Sequence, residues 1–336
     1  MFQLVVAKPA DGFFHHYASA PKSMSSSLQH ALSLQACSHA FEVSLSAAKV
    51  ARKKGDAKEL AHLLAISAPR ALVWKTVLPT EPALALSDSH YRLAARLSLG
   101  LPPPRAAAMP DDCPLCNKAN AFKNDAWHLL SCKQARKAVT QRHNEVVDAI
   151  YRIALAVGAI ADKEPRGLHR DDNRRPDLQL FFPGQHVITD VVVSHPLAPS
   201  YVANTYAMRS LGVAKYRERR KHAKYDELAA HHGAQLLPFA VETLGGLAPD
   251  AQRLLTVIAQ SGEAHLSIWA KDTISRHLQD TVAIAIQRST ATLFQTLQSH
   301  VLRMEVSKRR NVLERAVQRG LGSNSGRGAD SSVCGD

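Results

Sequence analysis

The chain has 336 residues, 46% of them hydrophobic, and its 42 Lys and Arg against 29 Asp and Glu leave a formal net charge of +13. That length provides for one large or two small domains with a proper core, and the positive balance favours a polyanionic partner, nucleic acid before membrane. No apolar run approaches a membrane span, and the opening "MFQLVVAKPADGFFHHY" lacks a basic start, a long apolar stretch and a clean cleavage site, so an integral membrane protein and a secreted one are both disfavoured.

In chain order, residues 1–55 are rich in Ser, Ala and His ("ASAPKSMSSSLQHALSLQACSHA") and show only weak helical periodicity, which predicts a poorly ordered or loosely helical start. Residues 56–110 read as helical, with Leu60, Leu63 and Leu64 on one stripe and "SDSHYRLAARLSLG" as a capped helix ending at Gly100. "LPPPRAAAMPDD" reads as a stiff linker into a cysteine cluster over 111–136. From 139 to 158 the pattern is a strong amphipathic helix, Val146, Ala149, Ile150 and Ile153 inward and Gly158 as its stop. The stretch 165–193 is strand-like, a helix fills roughly 203–232, and "AQLLPFAVETLGG" closes a sheet, which bounds a core at 137–247. Two or three long helices follow over 248–318, and the tail 319–336 is disordered by composition. The pattern predicts an α/β fold: a mixed sheet flanked by helices, with a small knuckle before it and a helical extension after it.

Three of the five cysteines cluster with a histidine as Cys-x2-Cys-x11-His-x3-Cys, which favours a metal site over a disulfide framework and implies a reducing, intracellular compartment. Cys113 and Cys116 form one tight pair; His128 and Cys132, four apart, would be presented by one helical turn. Four such ligands suit tetrahedral Zn²⁺ with no open position, so the predicted role is structural. Chance proximity of buried thiols is the competing reading, weakened by two correctly spaced pairs.

"RPDLQLFFPGQHVITDVVVSHP" reads as a hairpin turning at Pro183-Gly184. A two- or four-residue loop sets Phe182 opposite Gln185 and Phe181 opposite His186, and counting outward sets Asp177 opposite Asp190. Opposed like charges destabilise a sheet, and a divalent cation between them removes the repulsion; hard oxygens with room for water and phosphate suit Mg²⁺. A three-residue loop would slip the register, and two solvated edge aspartates are the bland alternative.

Pro-Asp, a spacer of about a dozen residues and a second acid on an apolar strand resembles the PD-(D/E)XK nuclease superfamily, whose acids hold Mg²⁺ while a lysine positions or activates water. The lysine expected two residues after the second acid is Val192 here. The resemblance implies a cation from the next helix, "KYRERRKHAKYDELAAHHG", with Lys221 favoured and Lys224 as the alternative. Lys215, Arg217, Arg219 and Arg220 on that helix, with Arg175, would hold a nucleic-acid backbone. Glu145 stands where related nucleases carry a helical acid that helps bind metal; Asp148 is a weaker candidate, and Glu242 reads as a cap or a cation ligand.

The order of motifs is more specific than any part. A Cys-Cys-His-Cys knuckle, "RHNEVVDAI", "RPD", "ITDVVVSHP", a Lys-x-x-Lys-Tyr helix and "FAVETLGG" together resemble the C-terminal restriction-like endonuclease region of site-specific non-LTR retrotransposons, over about residues 80–300. The resemblance implies Mg²⁺-dependent nicking of target DNA to prime reverse transcription, structural Zn²⁺, DNA and element RNA as partners, and a nuclear setting. No Tyr/Phe-x-Asp-Asp polymerase motif is present, so this chain is not expected to polymerise. The rival expectations are a catalytically dead module that grips nucleic acid and a remnant that pairs through its C-terminal helices. Oligomeric state is left open.

Overall fold

The computed structural model describes residues 24–53, 55–166, 168, 175–265 and 271–322. Its first element follows the helical of the two alternatives expected for residues 1–55, and is longer and more regular than a loose helix. Met24–Lys53 is one helix, α1, which contains neither Pro nor Gly and seats Phe41 and Ala48 in the interior against the next helix. Apolar residues spread round the helix rather than along one stripe hide it from a periodicity reading, but nothing in the stretch breaks a helix. Residues 1–23 and the tail from 323 lie outside the described residues.

The region 56–110 forms α2 (Lys58–Ile66), two short 3-10 turns and α3 (Asp88–Ser98). Ser87 caps α3 by accepting from the His90 N–H at 3.3 Å, and Gly100 follows with φ +67°, a left-handed conformation that suits glycine at a helix end. Of the leucine stripe, Leu60 and Leu63 are buried and Leu64 partly so. A short helix, α4 (Ala121–Asn124), lies inside the cysteine region. The turn His128–Leu130 is a 3-10 helix rather than the α-turn expected to carry His128 and Cys132.

Helix α5 (Arg136–Ala156) buries Val146, Ala149, Ile150 and Ile153, as the periodicity requires, and its chain turns at Gly158 with φ +83°. It leads into β1 (Ile160–Lys163), β2 (Leu178–Phe182), β3 (Gln185–Thr189) and β4 (Val191–Ser194). Next come α6 (Pro199–Ala203), a 3-10 turn and α7 (Gly212–His231), then β5 (Gln235–Leu236), β6 (Phe239–Glu242), α8 (Pro249–His265) and α9 (Lys271–Gly322). The single helix expected over 203–232 is thus divided, because Thr205 and Leu211 take positive φ and Gly212 lies so close to the Tyr206 carbonyl that a Cβ would clash.

β1 and β2 pair antiparallel, β2 and β3 form the hairpin, β3 runs parallel to β5, and β4 runs parallel to β6. Leu237 N donates to Ile188 O at 2.9 Å and Phe239 N to Asp190 O at 3.0 Å, so β3–β4 and β5–β6 are two long strands that each pass a one- or two-residue interruption. The architecture is a mixed α/β sheet with α5 and α8 over one face and α7 over the other. Leu178, Leu180, Phe182, Val187 and Val191 face the first helices, while Ile188 packs with Tyr225, Leu228 and Leu236 beneath α7. Helix α9 spans both interiors: Ile274, Val282 and Ile286 complete the sheet's core, and Phe294 and Val301 join α2, α3 and the cysteine region. Among the described residues no helix is long and apolar enough to cross a membrane.

Candidate active site and metal centre

The hairpin register sets the first geometry. Phe182 pairs with Gln185, Phe181 with His186 and Leu178 with Thr189, so the next step outward sets Asp177 against Asp190. Gly184 sits at φ +71° after Pro183, a left-handed conformation that suits glycine, and the pairing of Phe182 with Gln185 makes the loop two residues long. Pro176 has no amide hydrogen to continue the ladder, and the Asp177 carboxylate instead accepts the Val191 N–H at 2.5 Å through Oδ2. That bond locks the Asp177 side chain across the interruption at Asp190.

Asp190 is 4% exposed, and burial, followed by the charge of Asp177, pushes its carboxyl above the usual carboxylate range while Lys221 opposes the rise. Its Oδ2 forms an ion pair with Lys221 Nζ. On α7 the positions 218, 221, 225 and 228 fall on one stripe, and Glu218, Tyr225 and Leu228 are buried along it, so Lys221 is delivered inward. Val192, where the expected lysine is missing, packs flat against Ala214 and Ala240 on that same side. Lys224 stands one group further back: its ammonium donates to the Tyr225 hydroxyl at 2.7 Å, and that hydroxyl donates to the Arg175 carbonyl at 2.8 Å and also interacts with Asp190.

His143 was not singled out from sequence, yet its Nε2 lies 3.0 Å from Asp177 Oδ1. Burial works to lower its pKa, but the hydrogen bond and charge of Asp177 outweigh burial and leave it raised. A signal existed: 143, 146, 150 and 153 form the inward stripe of α5. Glu145 is two residues round the helix from that stripe. It accepts from Gln141 Nε2 at 3.4 Å and feels Arg288 on α9, and burial raises its pKa, but the structure does not bring it to the aspartates. Asp148 pairs with Lys163 at 2.5 Å. Glu242, 1% exposed, caps α7 by accepting from Ala214 N at 3.2 Å, and burial pushes its carboxyl up to about 7.

Lys215, Arg219, Arg220 and Arg175 are exposed, whereas Arg217 is half-buried. A cleft of about 480 Å³ opens between α5, β4, α6 and α7, lined by Arg142, His143, His195, Tyr201, Arg217 and Lys221 among others. Lys221 and His143 therefore serve as a shared wall: each touches a carboxylate and faces the cleft.

The second centre is closed. Cys113 Sγ and Cys132 Sγ are 4.0 Å apart, Cys116 Sγ and His128 Nε2 are 3.3 Å apart, and all four ligand atoms lie within 4.8 Å of one another. Sulfurs at about 2.3 Å from a tetrahedral ion stand about 3.8 Å apart, whereas a disulfide needs about 2.05 Å, so the spacing fits a metal ion and not a disulfide. Burial raises the Cys113 thiol and pushes Cys132 up to about 12, while it lowers His128. Without a metal both buried thiols stay protonated near neutral pH; the set can hold a metal ion and is compatible with zinc. Trp127 donates to Leu101 O at 3.1 Å and packs on Phe294 of α9 at 4.9 Å between ring centroids. The knuckle is thus sunk into the helical interior, in keeping with a brace. Among the described residues this is the one convergent set of three or more metal-ligating side chains; the aspartates contribute a pair.

A scan of family models and a search of curated proteins both return no match to this chain.

Proposed function

We propose that the chain is a Mg²⁺-dependent DNA endonuclease of the PD-(D/E)XK type, derived from the endonuclease region of a non-LTR retrotransposon, with structural Zn²⁺ in its knuckle. The observation that carries this reading is the registered pair Asp177 and Asp190 with Lys221 on Asp190. The succession α5, β1, β2, β3–β4, α7, β5–β6 around that pair supports the fold-level likeness, which by itself carries no activity.

Asp177 and Asp190 would hold Mg²⁺ through hard oxygens, water and phosphate completing the shell. When bound, the ion lowers the pKa of water and neutralises charge developing on phosphate. The chain's own groups do the rest. Val191 N–H and His143 fix Asp177 in one rotamer, and Lys221, held by Asp190, stabilises negative charge on the phosphoryl oxygens. Arg217 and the exposed basic residues of α7, with Arg175, grip the backbone. In the reaction a water oxygen bonds to phosphorus, the P–O3′ bond breaks, and the water proton ends on the 3′ oxygen, leaving a 3′ hydroxyl and a 5′ phosphate.

The test is purified protein on supercoiled plasmid with Mg²⁺. Nicking that falls at least about a thousandfold in Asp177→Ala and Asp190→Ala supports the proposal. A second reading has its own observation: His143 and Lys221 already relieve the repulsion between the carboxylates without metal. A binding module with a silent core would bind plasmid tightly and never nick it.

A further inference from the structure

We propose that the cleft beside the carboxylates is a built seat for a backbone phosphate of the nucleic acid, gripped by Arg142 from α5 and Arg217 from α7. The naming of the polymer rests on the nuclease reading; the anion seat stands on the cleft's own chemistry.

Arg142 is 4% exposed, an uncommon place for a guanidinium, and its Nη2 donates to the Val193 carbonyl at 3.0 Å. Its Nε and Nη1 are buried and have no hydrogen-bond partner among the described residues, nor do Arg217 Nε and His195 Nε2. Each buried donor left unpaired costs about 1–3 kcal/mol, more when it is charged. These polar atoms, arginine donors and a histidine nitrogen that donates or accepts by tautomer, belong to three residues that line one cleft, so the cost is concentrated around one space. The lining includes Arg142, Arg217 and Lys221 with His143 and His195, and no aspartate or glutamate is among the described residues that line it. Lys221 is balanced by Asp190 behind it, which leaves Arg142 and Arg217 as the fixed cations of a wall whose described lining holds no acid. Such a wall attracts an anion, and the forked donors of arginine match phosphate oxygens.

His195 is held in place by Thr243 Oγ1 at 2.9 Å on Nδ1, and burial lowers its pKa to about 3, so it meets the cleft as a neutral ring. Tyr201 also lines the cleft. Lys221 and His143 join this space to Asp190 and Asp177, so a phosphate seated on the arginines lies beside the carboxylates. The knuckle contributes Leu130, Ser131 and Cys132 to the same lining. This gives the metal centre a second consequence: it shapes one wall of the seat.

The experiment measures binding of a short labelled duplex to the full chain without Mg²⁺, by fluorescence anisotropy across a NaCl series, so it does not depend on catalysis. Arg217→Gln, at a half-buried position that tolerates change, is expected to weaken binding about tenfold and to lower the slope of log affinity against log salt by about one. Arg142→Lys keeps the charge and a donor for Val193 but loses the fork; it should weaken binding about tenfold with the slope unchanged. Arg217→Gln that keeps wild-type affinity and slope overturns the seat, as does Arg142→Lys that binds like wild type. Silent nicking assays with both shifts intact would sink the nuclease reading and leave the seat standing.

Discussion

The two candidate centres solve the same problem, gathering like groups at one point, by opposite means. The knuckle collects Cys113, Cys116, His128 and Cys132 from twenty residues of chain, with all four ligand atoms close enough to hold one metal ion. The aspartates come from two strands and recruit Lys221 and His143 from two helices, so they are already balanced by the chain. On the proposed reading, a closed set of soft ligands would make the metal a condition of folding, whereas a carboxylate pair with resident cations would make it a condition of chemistry. The difference predicts that removing metal from the first centre is structural and removing it from the second is catalytic.

The largest effect should fall on the knuckle. Cys132→Ser, or a strong chelator, is expected to unfold residues around the knuckle and the α9 contact at Phe294, since structural zinc contributes on the order of 10 kcal/mol to such folds. Thermal melts with a zinc assay check this; a cooperative melt at the wild-type temperature in zinc-free protein would contradict it. Lys221→Ala should lower nicking about a hundredfold and Lys224→Ala by clearly less, because Lys221 pairs directly with Asp190 whereas Lys224 meets the Tyr225 hydroxyl. Plasmid kinetics separate the two, and equal losses would erase the distinction between them.

How far these centres were legible in the sequence follows from the distances involved. The knuckle is local, so spacing alone revealed its ligands, although the His128 turn proved 3-10. The aspartate pair was legible because Pro183-Gly184 fixes a two-residue loop and register is counted from it. Lys221 could be favoured over Lys224 but not chosen, since the choice depends on which side of α7 meets the sheet. Arg142 and His143 were not found: the inward stripe of α5 marks position 143, but the partners of both residues come from how α5 lies over β4 and the edge of β2, a tertiary fact. The same applies to α1, whose weak periodicity concealed a helix that the absence of breakers allows.

A smaller effect separates His143 from Glu145. His143→Ala should raise the Mg²⁺ concentration needed for half-maximal nicking about tenfold by freeing Asp177, and Glu145→Gln should leave it unchanged. A metal titration of both variants that shows the reverse order would restore Glu145 as the helical ligand.

Smaller still is a pH effect on stability. Glu242 has its carboxyl raised from 4.5 to about 7 by burial. The folded state therefore holds this proton more tightly than the unfolded chain, so its stabilising contribution is full below about pH 4.5 and is lost as pH rises through about 7. The span corresponds to about 3 kcal/mol, and Glu242→Gln, which keeps an acceptor for α7, should flatten that part of the urea-midpoint profile. An unchanged profile in the variant would assign the pH dependence elsewhere.

The most direct test of the account is the number of Mn²⁺ ions bound by zinc-loaded protein, followed by electron paramagnetic resonance as a Mg²⁺ surrogate is titrated in. Wild-type chain should take up one ion with millimolar or tighter affinity, and Asp177→Asn and Asp190→Asn should each abolish it. Uptake that is absent in the wild type, or that survives both substitutions, would contradict a metal shared between the two carboxylates.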